Sequence, residues 1–159
     1  MTYPSSAAMN SPRTSHMSSH DIHPTSGYDG DISAETAWAW SQDKTALIID
    51  VRTDAEREWV GLVPGAVAVA WKQWPGMAVN ANFASEVHAA CVEAGVTKAA
   101  LLCRSGVRSV AAALELASHP ELGIHAYNIL QGFEGDPDER AHRSVLGGWK
   151  VSGLPWRQN

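Results

Sequence analysis

The sequence predicts an α/β fold built on a parallel sheet, and two observations carry the prediction. Short apolar runs recur at Ala46-Leu47-Ile48-Ile49-Asp50 and Ala99-Ala100-Leu101-Leu102. Each is too short for a helix and too uniformly apolar for a half-exposed strand, which is the pattern of strands buried on both faces. Stretches of helical periodicity lie between the runs. Strands that alternate with helices give a parallel sheet covered by helices on both faces, with ligands at the carboxyl ends of the strands.

Met1 to Ser26 is dominated by Ser, Thr, Pro, His and Asn without apolar periodicity. A disordered tail over residues 1–26 is therefore expected, ahead of one domain over 27–159. His16, His20 and His23 have a spacing that binds metal on a helix, but this segment offers no helix, so no metal site is expected. Ser33 caps a short helix through Trp38 and Trp40, with Glu35 at its positive end. After the first apolar run, Thr53 to Trp59 reads as helix and Pro64-Gly65 as a turn. Ala66 to Ala70 reads as a strand. Phe83, Val87, Ala90, Cys91 and Ala94 recur at helical spacing up to Gly95, which ends that helix. The second run delivers Cys103 and is followed by a helix with Val107, Val110, Ala111 and Leu114 on one face. His119-Pro120 and Gly123 break it, and Ile124 to Leu130 forms a last strand that Gly132 ends.

Composition removes several classes of function. At 159 residues, 45% hydrophobic and 18% charged, the chain is a normal globular domain. Twelve Lys+Arg against 17 Asp+Glu give a net charge of −5, which argues against a nucleic-acid partner. Cys91 and Cys103 supply neither a disulfide scaffold nor a zinc quartet. The longest apolar run, Ala66 to Trp71, falls far short of the roughly 20 residues that span a bilayer, so no membrane partner is expected. The N-terminus has neither a basic start nor an apolar core, and a reduced cytoplasmic setting is expected. There is no internal repeat and no glycine-rich nucleotide loop.

The chemistry is concentrated in Cys103-Arg104-Ser105-Gly106-Val107-Arg108-Ser109, which joins a buried strand to a helix. Gly106 permits a tight curl, and the helix start leaves N–H groups free to point inward. Two arginines add positive charge. That setting favours a thiolate and stabilises an anion on or near its sulfur. Without the glycine and arginines, the same cysteine would read as a core residue followed by an N-cap serine.

This loop resembles the active loop of the rhodanese-like sulfurtransferases, in the form Cys103-x-x-Gly106-x-Arg108-Ser109. Asp50-Val51-Arg52 with Glu56 resembles that family's early D-x-R…E motif, and Val63-Pro64-Gly65-Ala66 its P-G-A turn. Gln131-Gly132-Phe133 resembles the turn after its last strand. Gly148-Trp149 with Ser152-Gly153-Leu154-Pro155 resembles its ending. The motifs occur in order over roughly residues 31 to 157. The resemblance implies a five-stranded parallel sheet with helices on both sides and Cys103 as sulfur carrier. Leu62 stands where the family usually has a histidine, and Glu134 to Leu146 is longer than a minimal member needs. Both departures bear on pocket shape and substrate.

The implied reaction moves a sulfane sulfur from thiosulfate or a similar small anionic donor to cyanide or a thiol, through a Cys103 persulfide. A protein sulfur acceptor is possible, and the steps call for no cofactor. Arg104 is expected to recruit the donor and Arg108 to organise the loop by reaching toward Asp50. Asp50 is expected to accept loop N–H groups and Arg52 to pair with Glu56. Trp71 and Trp74 either wall the pocket or pack on the sheet. Trp149 and Trp156 read as core or tail anchors, and His142-Arg143 as a surface loop. Two other readings remain. One is a cysteine phosphatase or arsenate reductase, which resembles a Cys-x5-Arg pattern where this chain has Cys103-x4-Arg108. The other is a non-catalytic binding module, which would be expected to lack the cysteine. Cys91 reads as a core residue rather than a resolving thiol.

Overall fold

The computed structural model describes residues 21–159. Its strands are β1 (Gly30–Ile32), β2 (Ala46–Asp50), β3 (Val67–Ala68), β4 (Lys72–Gln73), β5 (Ala78–Val79), β6 (Lys98–Leu102) and β7 (His125–Ile129). Its α-helices are α1 (Ala34–Gln42), α2 (Asp54–Trp59), α3 (Phe83–Ala94) and α4 (Val107–Ala117). Five strands form one sheet in the order β1-β7-β6-β2-β3, and every neighbouring pair is parallel. β4 and β5 form a separate antiparallel hairpin.

Side-chain alternation along the central strands builds two cores. Ile49, Leu101 and Ala99 face α3 and α4, packing with Phe83, Val87, Cys91, Ala112, Ala113 and Leu116. Ile48, Ala100 and Leu102 face the other way, against Ala37 and Trp40 of α1 and against Phe133 and Trp149. A strand buried on both faces must be apolar at every position, which is why β2 and β6 read as continuous runs. The helix ends follow local chemistry. The Ser33 hydroxyl accepts the Thr36 N–H at 3.0 Å, and Gly95 ends α3 at φ 73°.

Four sequence expectations change. Residues 21–26, expected in the tail, pack on the domain: His23 makes an antiparallel bridge with Asp31, and Ile22 packs against the α1-side core. The rest of the expected tail, with His16 and His20, lies outside the described residues. β1 is a strand without a strand signal, because Gly30-Asp31-Ile32 offers one large apolar residue. The Ala66–Ala70 strand pairs as a regular ladder only over Val67–Ala68. It then peels from the sheet edge, with Val69 N–H on Asp50 O and Trp71 N–H on Val51 O, to enter the hairpin. Finally, α4 buries Ser109, Ala112, Ala113 and Leu116, not the bulkier face with Val107 and Leu114, which is exposed. The small face is the one that fits close against the sheet.

Among the described residues no helix is long and apolar enough to cross a membrane, and no group of three or more His, Cys, Asp or Glu could hold a metal ion.

Candidate active site

β6 ends at Leu102, so Cys103 leaves the sheet at its carboxyl end with the residue only 1% exposed. Gly106, at φ 113°, turns the chain into α4 and aims its N–H at Cys103 Sγ, 3.0 Å away. A side chain is strained at that φ, which makes glycine the fitting residue. The Ser109 hydroxyl lies 3.2 Å from the same sulfur. Several loop N–H groups are expected around the sulfur; among the described residues one reaches it, that of Gly106. The next N–H groups, at the start of α4, are the unpaired donors of a helix N-terminus. Ser105 is half-buried in the loop, Val107 points outward, and Ser109 is fully buried under the helix.

The loop is held from below by a turn. Phe133 N–H donates to Cys103 O at 2.8 Å, and Glu134 and Gly135 N–H groups donate to Arg104 O at 2.9 and 3.2 Å. The approach is so close that a Cβ on Gly132 would lie 2.5 Å from Cys103 O.

The charged side chains pair differently from the sequence expectation. Arg108 turns to Glu56, not Asp50, in a two-pronged ion pair: Nη1 to Oε1 at 2.6 Å and Nη2 to Oε2 at 2.7 Å. Glu56 is in place because it closes the capping box of α2 with Thr53. Burial alone would raise its pKa. The Arg108 hydrogen bonds and the Thr53 donors outweigh that and pull it down to about 2. Arg108 is pushed up by the same pair. Arg52 therefore does not pair with Glu56. It is fully buried and bonds Asp50 through Nε at 2.9 Å and Nη2 at 2.7 Å, donates to Gly61 O, and lies 4.3 Å from the Phe133 ring centroid. Asp50 accepts from Arg52, including its backbone N–H, and not from the cysteine loop. The four residues that the sequence singled out do meet, with their partners exchanged. A fork-shaped guanidinium takes whichever carboxylate its backbone position lets it meet side-on.

Outside the loop is an open cleft of about 480 Å³, lined by Thr53, Ala55, Glu56, Trp74, Met77, Arg104 and Arg108. Arg104 has no side-chain partner among the described residues and stands on the cleft wall. Trp74 and Met77 sit at the tip of the β4–β5 hairpin, with Trp74 70% exposed. The hairpin is fixed over the cleft by Gln73, whose amide bonds Asp54 at the start of α2 at 3.0 and 3.1 Å. Trp71 packs edge-on against Phe83 in the core. Trp149 is buried, and Trp156 packs edge-on against Phe133. In the 134–146 segment, Arg143 donates to Gly135 O and His142 N–H donates to Asp138; neither side chain lines the cleft. Cys91 is buried in the α3 core, and burial pushes its thiol up to about 11.

Residues 33–136 match the Rhodanese-like domain family. The chain belongs to that family. The Uncharacterized protein RP600 of Rickettsia prowazekii (strain Madrid E) is 33% identical over 116 residues, covering 72% of this chain and 85% of that protein. The crystal structure of Rv0390 from M. tuberculosis is 37% identical with a TM-score of 0.70, covering 83% of this chain and 99% of that one. The As-Sb reductase from Leishmania major shares the fold at 18% identity and a TM-score of 0.50, with 76% of this chain and 74% of that one covered.

Three features of this rhodanese-like domain are not read from its sequence. One is Glu56 as the partner of Arg108, a contact across 52 positions. Another is the hairpin that brings Met77 to the cleft beside Trp74, whose place on the pocket wall is one of the two sequence alternatives. The third is a buried run of polar side chains behind Cys103, through Ser109 to Asn128. For the first, the early D-x-R…E motif is the available signal. For the third, the signal is a lone asparagine among the buried residues of β7, beside Ala126, Tyr127 and Ile129.

Proposed function

We propose that this rhodanese-like domain is a sulfurtransferase in which Cys103 carries the sulfur. The Cys103 thiolate attacks the outer sulfur of thiosulfate or a similar donor. The donor's S–S bond breaks, sulfite leaves with the electron pair, and the enzyme holds Cys103–S–S⁻. Cyanide or a thiol, free or on a protein, then attacks the terminal sulfur and regenerates the thiolate. Neither displacement takes a proton from carbon or oxygen, so no histidine base is needed beside the cysteine. The Gly106 N–H and the free donors at the start of α4 suit the terminal anion of the persulfide. Arg104, unpaired on the cleft wall, suits recruitment of an anionic donor.

The observation that carries this reading over phosphate or arsenate chemistry is the Arg108–Glu56 pair. An oxyanion cradle needs its arginine free to face the oxyanion. Here both terminal nitrogens of Arg108 are held by one carboxylate. The loop is also one residue shorter than Cys-x5-Arg, which makes a nest for one sulfur rather than a tetrahedral oxyanion.

The test is incubation with thiosulfate followed by intact mass. One added sulfur is expected on the parent and on Cys91→Ala, and none on Cys103→Ala, with thiosulfate:cyanide transfer following the same pattern. Hydrolysis of a phosphate monoester or reduction of arsenate without sulfur loading would replace this reading with the phosphatase or reductase one. Absence of all three would leave a binding module.

A further inference from the structure

Behind Cys103 runs a file of polar side chains that sulfur transfer as written does not use. Tyr28 Oη donates to Asp31 Oδ1 at 2.7 Å, and Asn128 Nδ2 donates to the same oxygen at 2.9 Å. Ser109 Oγ donates to Asn128 Oδ1 at 2.5 Å and lies 3.2 Å from Cys103 Sγ. Ser109 and Asn128 are buried. The parallel register of β1 on β7 sets Asp31 opposite Asn128.

Proton direction along this file is fixed by Asp31. A carboxylate can only accept, so Asn128 must turn its NH2 toward Asp31 and its carbonyl toward Ser109. Ser109 has one proton, and that carbonyl takes it. The Ser109 oxygen then offers Cys103 lone pairs. A thiol can donate its S–H there, whereas a thiolate meets no donor on that side.

We propose that Asn128, oriented by Asp31, is a positioning residue that claims the Ser109 proton and thereby withholds one hydrogen-bond donor from a Cys103 thiolate. To ionise, the S–H proton passes to a solvent base and the Ser109 hydroxyl rotates from Asn128 to the sulfur. An O–H···S⁻ bond replaces the S–H···O bond. The Asn128 carbonyl is left buried with no other side-chain donor among the described residues, and that loss opposes ionisation. The gate deepens the sulfur-transfer reading and rests on it for its use, but its operation does not depend on any sulfur donor.

The remaining charged groups on this side come from the loop (Arg104), α4 (Arg108, which interacts electrostatically with Cys103), α2 (Glu56, paired with Arg108) and the end of β2 (Asp50, with Arg52 just after the strand). They are unchanged in the variants below. Tyr28, at the outer end, is pushed up to about 12 by burial and by its bond to Asp31, so it remains a donor throughout the relevant range.

The experiment titrates the ultraviolet thiolate absorbance of the full-length Cys91→Ala chain, with its Cys103→Ser counterpart as blank. Asn128→Ala should lower the Cys103 midpoint by about one pH unit, the size expected from relieving one stranded buried acceptor. Asp31→Asn should also lower it, because the Asn128 amide can then turn over and donate to Ser109. In a Ser109→Ala background neither substitution should move the midpoint. Absence of a downward shift in folded Asn128→Ala overturns the proposal. So does a shift of equal size in the Ser109→Ala background, which would mark a charge or packing effect. If Asn128→Ala does not fold, Asp31→Asn with and without Ser109→Ala decides the matter in the same way. Sulfur loading from thiosulfate is measured in parallel. Loading without the midpoint shift defeats only the gate, and the shift without loading defeats only the sulfur-transfer reading.

Discussion

Both oxygens of Glu56 are committed: Oε1 meets the Thr53 N–H and hydroxyl and Nη1 of Arg108, and Oε2 meets Nη2. Its pKa in the fold, about 2, lies below its ordinary 4.5. A depressed carboxyl stabilises the fold fully above the unfolded value, and the contribution is lost as pH falls toward the folded value. Glu56→Gln should therefore cost about 2 kcal/mol at neutral pH. The gap from the parent should narrow below pH 4.5 and close near about 2, as read from urea midpoints across that range. A constant gap would mean that the carboxylate charge is not what matters. The two arginines should separate in kinetics. Arg104 is exposed and has no side-chain partner among the described residues, so Arg104→Ala should mainly raise the thiosulfate KM, with an effect that shrinks as salt screens over roughly 8–10 Å. Arg108 is paired and partly buried, so Arg108→Ala should lower the yield of persulfide with little salt dependence. Matching salt profiles would refute that division. At this scale the sequence identifies the residues better than their partners. Cys103 and its loop are legible because loop chemistry is local. The pairing of Glu56 with Arg108 and of Asn128 with Asp31 is not, since those contacts span 52 and 97 positions and depend on strand register.

Between the cysteine loop and the 131–135 turn, backbone meets backbone with no room for a side chain. Gly132, at φ 59°, is where the turn passes closest. A methyl there would stand 2.5 Å from Cys103 O and 2.6 Å from Arg104 O, so the turn must move and its bonds to the loop must stretch. Gly132→Ala should lose about 2 kcal/mol or more and load less sulfur although Cys103 is intact. Gly65, at φ 84° with nothing within 4 Å of an added Cβ, is the control: its alanine variant should cost about 1 kcal/mol and load normally. Equal loading by both would show that the turn does not support the loop. Element by element, legibility follows the strength of the local signal. β2, α3 and β6 are readable because their apolar spacing is set by burial on known faces. The buried face of α4 departs from the sequence expectation because hydrophobicity favours Val107 and Leu114, while the sheet selects small residues, Ser109, Ala112 and Ala113, for close approach. The β4–β5 hairpin leaves no periodic signal, since its strands are two residues each.

Across the whole molecule, the site at the carboxyl ends of β6 and β2 depends on an edge far from the cleft. β1 is the outermost strand on one side of the sheet, and its free side is covered by the segment before it. His23 and Asp31 exchange backbone hydrogen bonds of 2.8 and 2.9 Å, Thr25 bonds Tyr28 O, and Ile22 packs into the α1-side core. Residues 21–26 thus hold the strand that carries Asp31, and Asp31 sets the orientation of Asn128 behind the cysteine. Deleting residues 1–26 should cost about 1–2 kcal/mol more than deleting 1–20, the worth of a partly buried isoleucine and two edge hydrogen bonds. Ile22→Ala in the full chain should reproduce much of that cost, because the side chain fills the space a Cβ on Gly30 would occupy, 2.5 Å away. The larger deletion should also loosen Asp31 and shift the Cys103 titration downward, in the direction expected of Asp31→Asn. Equal denaturant midpoints for the two deletions would show that β1 holds its place, and the proton file its direction, without the preceding segment.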